Sequence, residues 1–431
     1  MHYVIVGNGI CGTEAALALR AREAGARISI VSEEHDHFFS RPALMYVFCG
    51  QLRLQDTEPY DRGLYARMGF ERVRGRVGRL DTGKKRLLFD DARELSYDRL
   101  LLALGSKGRR APWPGSDGPG VNYFVTLRDL EALDRDAKAG GRAVVIGGGL
   151  IGVEVAEVLH KRGLHVTFVI RENWYFPLAL DANESALVAE HMRGEGIDVG
   201  LGANVDAILR GPEGRLRGVR LGRDEVAADL VAVSIGVVPN TEFLGASGLA
   251  LSQGGAVEVD DALRASGPDV WAAGDCANVT WSDGSRRPEQ LWYTARDQGR
   301  VAALSMLGDA VGYRRGTWYN SAKFFDIEWT TAGWVPALLN WDNAPLDPGP
   351  GVRTWFQRAP GRFESQRIIV KDDRVAGFNM LGSRWDHESL LRWIQERRDL
   401  DYVLAHLREA QFDEEFSRRF AVLESASLSP A

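Results

Sequence analysis

Cysteine is scarce: Cys11, Cys49 and Cys276 are the three in 431 residues, far apart and without a Cys-x-x-Cys pair. That spacing argues against a zinc site, a disulfide framework and a dithiol redox motif, and it fits a reducing compartment. No apolar run reaches the ~18 residues of a membrane span. The first strand begins at Tyr3, so neither a signal nor a transit segment is expected, and the expected location is the cytoplasm. A basic tract is also missing. Lys+Arg 53 against Asp+Glu 59 leaves a net charge of -6, so nucleic acid and anionic membrane surfaces are not expected as partners, whereas small molecules and proteins are. With 45% hydrophobic and 26% charged residues the chain has no disordered or coiled-coil character. Its length predicts about three domains at ~150 residues each. The histidines lack metal-ligand spacing, His35 and His37 merely flanking Asp36 in a loop, and no metal is expected. Ser-His-Asp and paired-carboxylate arrangements find no support either.

Glycine is the surplus: 48 residues, above the usual ~7%. It marks places where backbone must come close to something. His2 to Val6 reads as a short apolar strand running into Gly7-Asn8-Gly9-Ile10-Cys11-Gly12. A helix is predicted over Thr13 to Glu23, then a second strand over Arg27 to Val31, with Glu33 just beyond. Strand, glycine turn, helix, strand and acidic residue follow one another as in a dinucleotide-binding βαβ unit. Gly7, Gly9 and Gly12 would let backbone approach a pyrophosphate, the helix N-terminus would supply donors, and Glu33 would accept from a ribose. The unit then recurs: a strand over Arg142 to Ile146, the turn Gly147-Gly148-Gly149-Leu150-Ile151-Gly152, a helix over Val153 to Lys161, and a strand over His165 to Ile170. Two complete units imply two nucleotide sites in one chain, and so two cofactors that exchange electrons.

These two fingerprints, together with Leu101 to Ser106 (containing Ala103 and Gly105), Ser234 to Asn240 (containing Gly236) and Val270 to Asp275 (ending in Gly274-Asp275), stand in the order found in the pyridine nucleotide-disulfide oxidoreductase superfamily, which the chain resembles over residues 1 to about 310. The resemblance implies an α/β fold of two Rossmann-like domains: an FAD domain split into residues 1–112 and 236–312, an NAD(P) domain at 113–235 between them, and a C-terminal α+β domain at 313–431. It places FAD on the first unit and NADH or NADPH on the second, and assigns Asp275 to the FAD ribityl or pyrophosphate. Val77, Glu289 and Gln290 are further cofactor contacts that it implies, and it places the His35–His37 loop near the FAD adenine.

The disulfide branch of that family puts one or two cysteines near the flavin. Here the comparable stretch is Phe38-Phe39-Ser40-Arg41-Pro42-Ala43-Leu44-Met45-Tyr46, with Arg41 in the peroxidase-type cysteine position. Ser40-Arg41-Pro42 is similar instead to the ferredoxin and rubredoxin reductases and to the flavin portion of assimilatory nitrite reductases. Arg41 is therefore expected to place a charge at the isoalloxazine edge. Many ferredoxin-reductase relatives carry a lysine that pairs with the glutamate of the second fingerprint helix beside the nicotinamide. Glu154 keeps that glutamate, but the lysine position is Tyr46, so the ion pair does not carry over. Glu289 to Gly299 is read as the approach to a helix over Arg300 to Leu307 whose relatives' equivalent points at the flavin pyrimidine. Trp292 and Tyr293 there either cover the ring or form a hydrophobic staple. Aligned on the first unit, the second ends in Arg171 where the first has Glu33, which favours a 2′-phosphate and NADPH; a shift of one residue would present Glu172 and favour NADH.

The C-terminal part carries seven of the twelve tryptophans, Trp318, Trp329, Trp334, Trp341, Trp355, Trp385 and Trp393, which suit either an interface or an aromatic core. Strands over Ser365 to Val370 and Val375 to Leu381 are expected to join at Asp372-Asp373, followed by helices over His387 to Arg397 and Asp401 to Glu409. Glu424 to Ala431 reads as a frayed tail. In relatives this domain roofs the flavin or makes a dimer contact, so a homodimer is a candidate assembly. The resulting expectation is an FAD-dependent NAD(P)H oxidoreductase that passes electrons to a redox protein such as ferredoxin or rubredoxin, or to a reductase partner. The alternatives are reduction of a quinone or other small oxidant, and a flavin-holding sensing or assembly subunit that turns over poorly.

Overall fold

The computed structural model describes residues 1–340, 343–412 and 420–430. The chain forms two compact units, Met1–Arg109 with Val125–Glu131 and Val237–Gly316, and Arg110–Phe124 with Ala132–Gly236 and Thr317–Ala431.

The first unit is built on a five-stranded parallel sheet in the order Val270–Ala272, Arg99–Leu102, His2–Val6, Arg27–Ser32, Phe70–Arg74. Tyr3, Val4, Ile5, Ile28, Ile30, Leu100, Leu101 and Leu102 are all buried. Continuous apolar runs of this kind are what a sheet covered on both faces requires. The first fingerprint helix, Ile10–Arg22, packs along the late helix Trp292–Leu307. Gly299 permits that approach: a Cβ there would run into the carbonyl oxygen of Cys11. The late helix therefore begins eight residues before Arg300, where the sequence pattern starts it. Gly308, at φ +96°, ends it in the left-handed conformation. The unit also holds a small antiparallel sheet, Val77–Asp81, Arg86–Phe89 and Glu94–Ser96, the paired strands Ser106–Gly108 and Val237–Pro239, and a three-stranded sheet in the order Val257–Glu258, Ala277–Thr280, Arg286–Arg287.

The second unit repeats the plan, with parallel strands in the order Asp198–Gly200, His165–Val169, Arg142–Ile146, Leu230–Val233, Val121–Asn122. The second fingerprint helix is Leu150–Lys161. Both fingerprint helices thus start three residues earlier than their apolar periodicity indicates, directly after Gly9 and Gly149. The C-terminal segment of this unit is a six-stranded antiparallel sheet in the order Tyr319–Phe324, Ile327–Gly333, Arg374–Leu381, Ser365–Lys371, Val352–Arg358, Ser427–Pro430. Asp372 and Asp373 make its tight turn at φ 50° and 59°. The helices His387–Gln395 and Leu400–His406 pack on it.

The expected frayed tail is corrected here. Ser427–Pro430 pairs with Arg353 to Phe356 as an edge strand, and Ala431 lies outside the described residues. The tryptophans divide: Trp329, Trp355, Trp385 and Trp393 are buried, Trp318 is half-buried, Trp334 is 40% exposed, and Trp341 lies outside the described residues. Most of the described aromatic surplus therefore fills a core. This sheet docks on the helix Ala182–Gly194 through a buried polar cluster. Glu184 Oε2 accepts from Arg367 Nη2 at 2.9 Å and from Asn379 Nδ2 at 2.8 Å. Arg367 Nη2 also donates to the Ala179 carbonyl at 2.7 Å. Asp181 and Glu184 form a capping box at the same helix start.

Candidate cofactor sites

In the first unit Gly7 stands at φ +121°, and a side chain there would overlap the Ala103 carbonyl oxygen; one at Gly12 would overlap the Gly7 carbonyl oxygen. These two glycines let the turn fold tightly on the strand ends. Gly9 differs, being extended at φ -93°, ψ -171°, with no atom within 4 Å of where a Cβ would sit. It caps the helix Ile10–Arg22 without a side-chain hydrogen bond, and no acidic residue lies in the first turn. Free N–H donors at the positive end of a helix, with open space before them, suit a pyrophosphate.

Ala103, Gly105, Gly274 and Asp275 gather at the same carboxyl edge of the sheet, where ligands bind in open α/β folds. Ser106 Oγ donates to Asp275 Oδ2 at 2.7 Å. Burial pushes the Asp275 carboxyl up, against the Ser106 hydrogen bond and the Arg41 charge. A Cβ on Gly274, which has φ +76°, would press on Cys11 at 3.2 Å, and its N–H donates to Gln298 Oε1 at 2.8 Å. Trp292 Nε1 is buried without a hydrogen-bond partner, whereas the Gln298 side chain hydrogen-bonds Tyr313. An orphaned donor at the start of Trp292–Leu307 fits a polar ligand with an acceptor atom.

Glu33 follows strand Arg27–Ser32 and is 45% exposed, and its ion pair to Arg76 is long at 3.7 Å. Its neighbour Glu34, which the sequence pattern does not single out, accepts from Arg41 Nη2 at 2.7 Å and from the Leu127 N–H at 2.7 Å. Burial works to raise its pKa, but Arg41 and that N–H hold it below the usual carboxylate value. Arg41 itself also donates to the Val125 carbonyl at 2.7 Å. Ser40 is half-buried, Pro42 is exposed, and Tyr46 is half-buried on the short helix Leu44–Phe48. Val77 is buried, paired with Phe89. Glu289 is buried against Arg315, whose Nη2 lies 2.5 Å from Oε1, whereas Gln290 is exposed. His35, His37 and Glu58 bring ligand atoms within 4.8 Å of one another. Arg72 Nη1 is 2.9 Å from His37 Nε2 and Arg62 Nη2 is 2.7 Å from Glu58 Oε1, so cations already stand where a metal would. Burial raises the Cys11 thiol well above its normal pKa and takes Cys276 to about 12.

The second unit reproduces this geometry. Gly147 at φ +118° would carry a Cβ into the Ser234 carbonyl oxygen, Gly152 into that of Gly147, and Gly149, at the helix N-cap, into open space. The Gly236 position is open too, at φ +99°. Val6 is in register with Val31 and Ile146 with Val169. Arg171 is therefore two residues past Val169, as Glu33 is two past Val31, and the equivalence needs no shift. Arg171 Nη2 donates to Glu172 Oε1 at 2.7 Å. Glu154, one turn into the helix Leu150–Lys161, is half-buried. Burial and the neighbouring Glu157 push its pKa to about 7, against the charge of Lys323. Tyr175 and Lys323 are site neighbours that sequence spacing alone does not reveal.

Residues 1–299 match the family described as pyridine nucleotide-disulphide oxidoreductase. The chain belongs to that family. It is similar to rhodocoxin reductase of Rhodococcus erythropolis, at 33% identity over 333 residues, 75% of this chain and 76% of that protein. A ferredoxin–NAD(P)(+) reductase of Sphingomonas sp. is 33% identical over 387 residues, 84% of this chain and 88% of its own. Among solved structures, the covalent putidaredoxin reductase–putidaredoxin complex superposes with a TM-score of 0.80 over 92% of this chain and 93% of that one; at 23% identity this likeness shows the fold. The protein is an FAD-dependent NAD(P)H oxidoreductase, with a glycine turn of matching geometry in each unit. Among the described residues no helix is long and apolar enough to cross a membrane.

Proposed function

We propose that this oxidoreductase delivers electrons from NAD(P)H, by way of FAD, to a ferredoxin-type iron–sulfur protein. The observation that carries the reading is the pair of open, uncapped helix starts at Gly9 and Gly149, in a chain whose buried thiols Cys11 and Cys276 are held protonated. When bound, FAD takes up hydride and gives out electrons singly, which suits an iron–sulfur acceptor. Relatives named as ferredoxin and rhodocoxin reductases support that class of partner. Gly7, Gly9, Gly12, Glu33 and Asp275 would hold the flavin nucleotide, with Arg41 placing positive charge beside Asp275. Gly147, Gly149, Gly152 and Arg171 would hold the nicotinamide nucleotide. The placement of Arg171 supports NADPH over NADH. The division into an FAD domain at 1–112 and 236–312, an NAD(P) domain at 113–235 and a C-terminal domain at 313–431 belongs to the same proposal. So does a homodimer, for which exposed Trp334, with Lys371 Nζ 5.2 Å from its ring centroid, is a contact candidate. A reducing cytoplasm suits the three free cysteines.

The test is anaerobic reduction of the yellow protein by NADPH or NADH, followed by challenge with ferredoxin, rubredoxin, a quinone and oxygen. Fast reoxidation by ferredoxin is expected. Faster reoxidation by the quinone would favour a small-oxidant reductase, and slow reduction by both nucleotides would favour a flavin-holding binding subunit.

A further inference from the structure

The six-stranded sheet has two faces with different work. Ile368, Phe378 and Met380 pack with the helices His387–Gln395 and Leu400–His406. Arg367 and Asn379 stand opposite one another in neighbouring strands, and Trp329 stands opposite Leu381, two residues on from Asn379. The alternation of a strand puts these three side chains on the other face. That face receives the segment between Arg171 and the helix start at Asp181. Arg367 Nη2 and Asn379 Nδ2 both donate to the Ala179 carbonyl, at 2.7 and 3.2 Å. The Leu338 N–H donates to the Pro177 carbonyl at 2.7 Å. Phe176 turns the segment at φ +47°, a left-handed conformation that bulky residues rarely take, and its carbonyl accepts from the N–H groups of Ala179 and Leu180. Its ring stands edge-on to Trp329, centroids 5.7 Å apart, and 6.2 Å from Phe324. Strain of this kind persists where the surroundings over-determine it, and here the surroundings belong to the C-terminal sheet. The other end of the segment is tied to its own βαβ unit: the Ile170 N–H donates to the Gly200 carbonyl and the Gly202 N–H to that of Glu172, each at 2.8 Å. The Tyr175 N–H donates to Ser185 Oγ at 2.6 Å, so Arg171 to Trp174 are the whole span between two anchorages.

We propose that the C-terminal sheet sets nucleotide selectivity: Arg367 and Trp329 are positioning residues that clamp Tyr175 to Leu180 and thereby hold Arg171, at the start of the same segment, ready for a 2′-phosphate. A loop ordered in advance does not have to be ordered by its ligand, so its contacts count for more in affinity. Arg367 is itself fixed by Glu184, 2.9 Å away. The choice of phosphate rests on the reading of Arg171 as an NADPH contact; the clamp does not.

The test uses the flavin-loaded full chain. Arg367→Met is made together with Glu184→Gln, so that no buried carboxylate loses its cation, and Phe176→Leu separately removes the ring from Trp329 without altering the sheet. Hydrogen exchange over Glu172 to Leu180 is read without nucleotide, and equilibrium dialysis gives Kd for NADP+ and NAD+. Both variants should exchange at least about tenfold faster over this segment and bind NADP+ about fivefold more weakly, with NAD+ changed less than about twofold. Phe176→Tyr, which keeps the ring, should behave as the parent. In Arg171→Ala, neither change should weaken NADP+ binding further. Unchanged exchange in Phe176→Leu would overturn the clamp. Faster exchange with parental NADP+ affinity, equal losses for the two nucleotides, or the same loss in the Arg171→Ala background would overturn the positioning role. An Arg171→Ala protein that binds NADP+ as the parent does would overturn the NADPH reading instead, with the exchange result still deciding the clamp.

Discussion

Gly9 and Gly12 are three residues apart in one turn, and the structure assigns them opposite consequences. Gly9 is extended, a conformation open to any residue, and a Cβ there touches nothing within 4 Å. Gly9→Val should therefore fold with a stability within about 0.5 kcal/mol of the parent when both lack flavin. The valine would occupy the space in front of the helix N–H groups. Charge-assisted hydrogen bonds are worth ~1.5 to 3 kcal/mol each. Losing two costs about 3 to 6 kcal/mol, or roughly two to four decades in FAD affinity, and colourless protein on purification. At Gly12 a Cβ would overlap the Gly7 carbonyl oxygen and lie 3.1 Å from Ile5 Cγ2, with backbone on one side and core on the other. Gly12→Ala should cost about 1 to 3 kcal/mol as overpacking and lower the melting temperature by several degrees even without flavin. Flavin-to-protein absorbance ratios, FAD titration by fluorescence quenching and thermal melting of the flavin-free proteins separate the two effects. Stoichiometric flavin in purified Gly9→Val, or a flavin-free Gly9→Val that melts like Gly12→Ala, would refute the reasoning.

Three further outcomes follow from geometry already given. Iodoacetamide at pH 8 should label half-buried Cys49 before Cys11 and Cys276, whose thiols burial holds protonated; replacing all three should leave NAD(P)H-driven flavin reduction within several-fold, and loss of reduction with normal flavin content would revive a thiol mechanism. Arg171→Ala should lower kcat/KM for NADPH at least tenfold, the equivalent of ~1.4 kcal/mol, while NADH changes little; equal losses would remove the arginine from phosphate recognition. Glu154 and Glu184 are both pushed to about 7 by burial, from an ordinary 4.5. The folded chain therefore holds protons that the unfolded chain has released between those values, and stability to urea should fall as pH rises from about 4.5 through 7. Glu154→Gln should flatten that slope, and an unchanged slope in this variant would contradict its burial.

Much of the geometry of the two βαβ units was legible because glycine spacing encodes it locally. The turns at Gly7–Gly12 and Gly147–Gly152, the acidic end at Glu33 and its arginine counterpart all follow from residues within one βαβ unit. What escaped was set by distant chain. Trp292–Leu307 starts without a capping side chain and carries Gly299 inside it, so it reads as a loop until the first fingerprint helix is placed against that glycine. Ser427–Pro430 has no strand-like local pattern, and its partner Val352–Arg358 lies far back in the chain. Glu34 looks like an ordinary surface charge until folding sets it against Arg41.

The parallel sheet of the first unit takes its outer strand Val270–Ala272 from beyond a long intervening stretch, and Cys11 is packed by Gly274 and Gly299 from the same late segment. During synthesis, then, the first motif to leave the ribosome is among the last to be completed. Until residue 300 or so has emerged, strand Arg99–Leu102 has a bare edge and the turn at Gly7–Gly12 lacks its floor. If FAD occupies that turn as proposed, its capture is a late event that reports on about 70% of the chain, and flavin content would serve as a check on whether the first unit has been assembled in order.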